Sequence, residues 1–279
     1  MSSDDPIRRA AHALASAEAL VITAGAGMGV DSGLPDFRGS QGFWRAYPAY
    51  EKLGLSFSSM ANPRWFATDP AFAWGFYGHR LELYRRTVPH AGFALLRAFA
   101  ARTAHGAFVF TSNVDGQFQR AGFGDDRVTE AHGSIHHLQC LAECGVGLLD
   151  ADPFSVTVDP GTLRASKPLP TCPRCRGLLR PSILMFGDGG WDDARSAAQH
   201  RRLEAWLARL GSAKVVVVEC GAGTAIPTVR RFSERLARDG ATLVRINVRE
   251  SEVPSGQIGL PMGALDALRA IDAAGREGP

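Results

Sequence analysis

The sequence has little that would tie it to a membrane, to nucleic acid or to an oxidising compartment. No stretch approaches the ~20 consecutive apolar residues that a membrane helix needs. The first residues, MSSDDPIRRAAHALASAEAL, lack a basic segment followed by an apolar core. No signal peptide is therefore expected, and the expected location is cytoplasmic. Charge of one sign is also scarce: 31 Lys and Arg stand against 28 Asp and Glu, for a net charge of +3. That balance gives no electrostatic case for nucleic acid or a membrane as partner. Cysteine is sparse, with five in 279 residues. Four of them form two close pairs, which in a chain without a secretion signal points to a metal before a disulfide. Internal repeats, low-complexity tracts and long linkers are absent as well.

What remains is an ordinary globular composition, 45% hydrophobic and 21% charged, in a chain long enough for one large domain and a smaller one. Three short apolar runs end in loops rich in Gly or polar residues: ALVITAGAG, GAFVFTSNVDG and AKVVVVECGAGT. A fourth, ATLVRINVRE, follows a helical stretch. Runs of this length, alternating with helix-like segments such as DPIRRAAHALASAEA, VPHAGFALLRAFAAR and ARSAAQHRRLEAWLARL, suit a parallel sheet covered on both faces. Two segments break the alternation. One, from about 46 to 87, is aromatic and helical in pattern; the other, about 138 to 179, carries the cysteine pairs. The expected fold is α/β, a Rossmann-like parallel sheet domain with a smaller inserted zinc-binding domain. Residues 1–45, 88–137 and 180–279 would build the first, and 46–87 with 138–179 the second.

The loop after the first apolar run reads TAGAGMGVDSGLPDFRG. Backbone N–H groups of such a turn, with a helix N-terminus behind them, can hold a pyrophosphate. The dehydrogenase fingerprint G-x-G-x-x-G fails, however, because Val30 stands where the third glycine belongs. By itself the loop reads equally as a tight strand-to-helix turn. Its continuation, SGLPDFRG, resembles the signature of the sirtuins, NAD-dependent protein deacylases. Further matches follow in that family's order: TSNVDG at 111–116, AHGS at 131–134, the cysteine pairs, MFGD at 185–188, GAGTAIP at 221–227 and RIN at 245–247. The resemblance spans residues ~19 to ~270.

Cys140 with Cys144 and Cys172 with Cys175 have spacings that let four thiolates close around one tetrahedral Zn²⁺. The competing reading is four reduced, unrelated cysteines. The resemblance implies a structural zinc that holds the small domain together. Cys220 reads as a buried strand cysteine.

The remaining roles are those the resemblance implies. NAD would be a co-substrate and the acylated lysine of a protein the partner. The acyl oxygen would attack C1′ of the nicotinamide ribose and displace nicotinamide. His132 would then act as general base on a ribose hydroxyl, giving free lysine and O-acyl-ADP-ribose. Imidazole suits that task because it titrates near working pH; His136 and His137 are expected to be structural. Asn113 would orient the ribose and a water, and Asp115 would hold the nicotinamide carboxamide. Gly25, Ala26 and Gly27 would approach the phosphates. Asp36, Phe37 and Arg38 would close over the glycosidic bond. On the far side Gly221, Gly223 and Thr224 would offer a phosphate cradle, and Asn247 would bind the adenine ribose. Met185, Phe186 and Gly187 would pair with a substrate strand. The sequence departs from the family at Ser112, where glutamine is usual, and in GAGT, where Gly-Thr-Ser is usual.

Tyr77 and Arg80 lie one helical turn apart. A phenol beside a guanidinium makes a carboxylate receptor, and the spacing resembles the sirtuin class that removes malonyl, succinyl or glutaryl groups. Their other reading is a core tyrosine and a solvated arginine on an amphipathic helix, so the chain is a deacetylase or a desuccinylase or demalonylase. An NAD glycohydrolase or ADP-ribosyltransferase on the same fold is the nearest alternative. A zinc-ribbon binding module is the alternative from another class. A monomer is the working expectation.

Overall fold

The computed structural model describes residues 5–36 and 39–276. Eleven strands are present among them: β1 (Ala19–Ala24), β2 (Ala107–Thr111), β3 (Val128–Glu130), β4 (Gly133–Cys140), β5 (Leu149–Asp150), β6 (Val158–Asp159), β7 (Arg164–Ala165), β8 (Leu179–Ile183), β9 (Val215–Cys220), β10 (Thr242–Ile246) and β11 (Ile258–Leu260). Six of these form one sheet in the order β11-β10-β9-β1-β2-β3, and every neighbouring pair is parallel. The four apolar runs of the sequence are β1, β2, β9 and β10. The two edge strands, β3 and β11, have three residues each, too few to leave a periodic signal.

Strand β1 is buried at all six positions because the sheet is covered on both faces. Its alternate residues enter different cores. Leu20, Ile22 and Ala24 join Ala10, Leu96 and Leu268 on one side. Ala19 and Val21 join Leu203, Trp206 and Phe232 on the other. The helices Pro6–Ala15, Ala91–Ala100 and Ala264–Arg276 cover the first face; Ala194–Arg209 and Thr228–Arg238 cover the second. Asp5 caps the first helix by accepting from the Ile7 amide at 3.1 Å, with Pro6 at its first position, where the missing N–H costs nothing. Among the described residues no helix is long and apolar enough to cross a membrane.

A third apolar cluster lies apart from the sheet. It gathers Phe66, Trp74, Phe76, Tyr77, Leu138, Cys140, Val156, Cys172 and Leu179, so the aromatic and cysteine-bearing segments share one core. Leu34, Phe43, Val114, Ile135, Ile183 and Met185 join it from the flanking chain. Its backbone is the antiparallel sheet β5-β4-β8. The helix Pro70–Arg86 lies against it, capped by Asp69 on the Phe72 amide at 3.2 Å and anchored by Trp74 Nε1–H donating to the Leu179 carbonyl at 2.9 Å. A Cβ on Gly75 would sit 1.9 Å from the Leu163 carbonyl oxygen, so glycine is what lets the β6–β7 hairpin rest on this helix. That contact fixes the rotation of the helix and with it the direction of Tyr77 and Arg80.

Candidate active site

The strand order reverses between β1 and β9, and in open α/β sheets a ligand crevice forms at such a point, beyond the carboxyl ends of the strands. A cavity of about 330 Å³ is present there. Gly25 and Ala26 follow β1, Ser112, Asn113 and Asp115 follow β2, and Gly221 and Gly223 follow β9; all line it. His132, Met185 and Phe186 line it from the β3–β4 and β8 sides, and Tyr77, Arg80 and Tyr84 form its far end.

The two glycine-rich loops are pressed together. Gly221 has φ +64° and a Cβ there would lie 2.3 Å from the carbonyl carbon of Gly27, while a Cβ on Gly25 would lie 2.8 Å from the Ala222 Cα. The Gly27 amide donates to the Gly221 carbonyl at 3.0 Å. Glycine is therefore required by the contact between the loops themselves. Backbone can reach the cavity floor here because no side chain intervenes.

Asn113 donates its side-chain amide to the Gly25 carbonyl at 3.0 Å, which ties the β2 loop to the glycine loop. Asp115 is buried and accepts from the Gln117 amide at 3.0 Å. Burial raises its carboxyl to about 6, with the Gln117 bond opposing the rise and Glu130 adding to it. His136 is turned toward the Asp115 carbonyl, 3.0 Å from Nε2.

His132 Nε2 lies 3.2 Å from the Thr228 hydroxyl. Burial holds the imidazole below its ordinary value, and a contact with the Ser112 backbone opposes that shift. Thr228 is the first residue of an eleven-residue helix, whose positive end also favours a neutral ring. A neutral imidazole in a cavity is a competent proton acceptor. Its Thr228 partner is 96 residues away in the chain, and no motif flagged it.

At the far end the Arg80 guanidinium is buried among aromatic rings, 5.2 Å from the Phe76 centroid and 5.9 Å from that of Tyr77. Among the described residues the buried Tyr77 hydroxyl has no hydrogen-bond partner. Burial pushes the Tyr77 phenol above its ordinary value, so it stays protonated and able to donate. This is a pair of buried donors in an apolar setting, where an unmet hydroxyl is costly.

Other expected residues are placed differently. Thr224 does not line the cavity; its amide and hydroxyl both bond to the Glu250 carboxylate, at 2.8 and 3.1 Å. Asn247 donates to the Ala222 carbonyl at 2.7 Å and accepts from the Arg249 and Glu250 amides, bracing the same loop from behind. Asp36 is half-buried, 3.7 Å from the Arg249 guanidinium. Phe37 and Arg38 lie outside the described residues. Residues 184–185 are irregular and 186–187 form a turn, outside any strand. The Leu184 amide donates to the His132 carbonyl at 3.0 Å, and the Phe186 amide to the Ala61 carbonyl at 2.9 Å. Asp188 closes this turn, accepting from the Met185 amide at 3.2 Å and from the buried Arg180 at 2.7 Å. Gly187, at φ +70°, completes the turn.

The cysteine site stands outside the cavity, at the far end of β4. A tetrahedral zinc with Zn–S near 2.3 Å needs sulfurs about 3.8 Å apart. The four Sγ atoms of Cys140, Cys144, Cys172 and Cys175 lie within 4.8 Å of one another, with pairs at 3.5 and 3.6 Å. The Gly177 amide points at the Cys175 sulfur, 3.4 Å away, as second-sphere donors to thiolates do. These residues fit a structural zinc, and the same strand that ends at Cys140 begins one residue after His132.

Comparison with known proteins agrees with this geometry. The model of the Sir2 family matches residues 25–217. NAD-dependent protein deacylase 2 of Pyrobaculum aerophilum is 34% identical over 247 residues, 87% of this chain and 85% of that protein. The mitochondrial NAD-dependent protein deacylase sirtuin-5 of Danio rerio is 34% identical over 205 residues, 68% of this chain and 63% of that protein. A solved Sir2 homologue variant in complex with 2′-O-acetyl ADP ribose is 26% identical, with a TM-score of 0.70 over 99% of this chain and 98% of that one. A Sir2 homologue variant with ADP ribose, at 24% identity and a TM-score of 0.73, shares the fold over 99% of this chain and 97% of that one. With the ordered motifs converging on one crevice and a four-cysteine site beside it, the chain belongs to the Sir2 family.

Proposed function

We propose that this protein is an NAD-dependent protein-lysine deacylase whose preferred acyl group ends in a carboxylate. Its relatives carry the name deacylase, and NAD is the co-substrate the fold accommodates. The observation that carries the acyl preference is the far end of the cavity. There the Tyr77 hydroxyl, without a partner among the described residues, and the buried Arg80 guanidinium sit together. Both are donors, and a guanidinium has no acceptor to offer. A carboxylate at the end of a malonyl, succinyl or glutaryl chain meets both.

In this reading the acyl-lysine enters past Phe186, Leu184 and Ile226, which are apolar, partly exposed and line the cavity. The acyl chain extends toward Arg80. Asp115 faces the nicotinamide carboxamide, and the glycine loops take the phosphates. The amide oxygen attacks C1′ as the C1′–N bond breaks and nicotinamide departs with the bonding pair. His132 removes the proton from a ribose hydroxyl, whose oxygen closes on the acyl carbon. Water then completes the release of the lysine amine, leaving O-acyl-ADP-ribose. Residues around the ring, Val114 and Ile183 among them, are apolar and limit competing hydrolysis at C1′.

The experiment is turnover of succinyl- and acetyl-lysine peptides with NAD, with products identified by mass spectrometry, in the wild type and Arg80→Met. The wild type is expected to prefer succinyl, and Arg80→Met to lose at least tenfold of that preference. A wild type that prefers acetyl, or a variant with an unaltered ratio, refutes the acyl assignment. Nicotinamide release at full rate without any peptide would instead favour a glycohydrolase.

A further inference from the structure

Tyr84 lies one turn beyond Arg80 on the same helix and also lines the cavity. Its hydroxyl oxygen is 3.0 Å from Arg80 Nε and 2.7 Å from Arg80 Nη2. Both guanidinium nitrogens can only donate, so the phenolic oxygen accepts twice. We propose that Tyr84 is a specificity-determining positioning residue: it clamps the Arg80 guanidinium edge-on and turns its own O–H toward the acyl carboxylate. The inference rests on the acidic-acyl reading above and adds a third member to that receptor.

Three features carry it. First, a two-point clamp fixes the plane of a guanidinium, whereas one contact leaves it free to rotate. Bidentate recognition of a carboxylate needs that plane fixed. Second, with both lone pairs engaged by Arg80, the Tyr84 hydroxyl hydrogen needs an acceptor of its own, and none is present among the described residues. Tyr77 is in the same condition. Two buried phenol donors and one guanidinium line the same cavity as Asp115, whose charge acts on Arg80 and Tyr84 while its carboxylate accepts from the Gln117 amide. Third, burial keeps both phenols above their ordinary titration range, so both hydroxyls stay protonated and able to donate. The Tyr84 ring also lies 5.3 Å from Arg80 Cζ, a contact that phenylalanine would retain.

The test is Tyr84→Phe, Arg80→Met and the double variant, each assayed on succinyl- and acetyl-lysine peptides with kcat and KM resolved. Loss of a hydrogen bond to a charged group corresponds to roughly tenfold or more in affinity. Succinyl-peptide kcat/KM in Tyr84→Phe is expected to fall at least tenfold further than acetyl-peptide kcat/KM, with the difference residing in KM. Because Tyr84 acts mainly by fixing Arg80, Tyr84→Phe is expected to lower the succinyl-to-acetyl ratio much less in the Arg80→Met background than in the wild type. Equal losses on both peptides, or additive effects in the double variant, overturn the positioning role while leaving the acyl assignment standing. A wild type without succinyl preference overturns both.

Discussion

Asp115 shows how a buried carboxylate can weaken the fold that carries it. Burial lifts it from 3.8 to about 6. The difference, about 2 pH units, corresponds to about 3 kcal/mol of destabilisation when the group is ionised. The sign follows from the protons bound. Between the unfolded and folded values the native state holds more protons than the unfolded chain, so stability falls as pH rises through that window. The penalty is absent below about pH 4, reaches about half by pH 5 and is complete above about pH 7. Asp115→Asn keeps an acceptor for the Gln117 amide and removes the charge. We expect the variant to melt several degrees above the wild type at pH 8, at about 2 °C per kcal/mol for a chain of this size. The gap should shrink to about half by pH 5. Calorimetry of the two proteins across that range is the assay, with NAD consumption measured alongside. A variant equally or less stable at pH 8, or a gap independent of pH, would refute the reasoning. Loss of nicotinamide release in the more stable variant would mark the carboxylate as retained for function.

Three further outcomes follow from the same geometry. Gly221→Ala places a methyl 2.3 Å from Gly27 at a positive φ; we expect a loss of about 2 kcal/mol or more and no thermal shift on adding NAD. Removing zinc with a strong chelator should expose β4, β8 and the helix Pro70–Arg86 to amide exchange before the six-stranded sheet; uniform exchange would argue against a structural metal. Thr228→Val removes the hydroxyl beside His132 Nε2. If that O–H donates to the neutral ring, its loss raises the imidazole pKa, which ¹⁵N NMR of His132 would follow, and Thr228→Ser should restore it.

Much of this molecule could be read from its sequence, and the reasons are local. A strand buried on both faces is a continuous apolar run, so β1, β2, β9 and β10 declared themselves. Cys140-x₃-Cys144 and Cys172-x₂-Cys175 carry their chemistry in their spacing, and their four sulfurs do meet. Asn113, Asp115 and His132 sit on loops directly after strands, and strand ends in a parallel sheet face a common crevice. Tyr77 and Arg80 share a helical face at any depth of burial. The sequence thus determined the sheet class, the four-cysteine cluster and which loops line the cavity.

The tertiary structure decided the pairings. Thr228 meets His132 because the helix after β9 packs over β9, β10 and β1 and sets its first residue beside the loop between β3 and β4. Gly221 must be glycine because strand order sets β9 beside β1 and brings two loops within van der Waals contact. Thr224 bonds to the Glu250 carboxylate and Asn247 to the Ala222 carbonyl, contacts that chain spacing does not announce. Tyr84 reaches Arg80 by local helical spacing; what tertiary packing decided is that the pair is buried and lines the cavity. Local spacing specifies which groups a segment offers. Which of them remain available to a ligand depends on partners brought from distant segments, and only the packed sheet and its two lobes determine those.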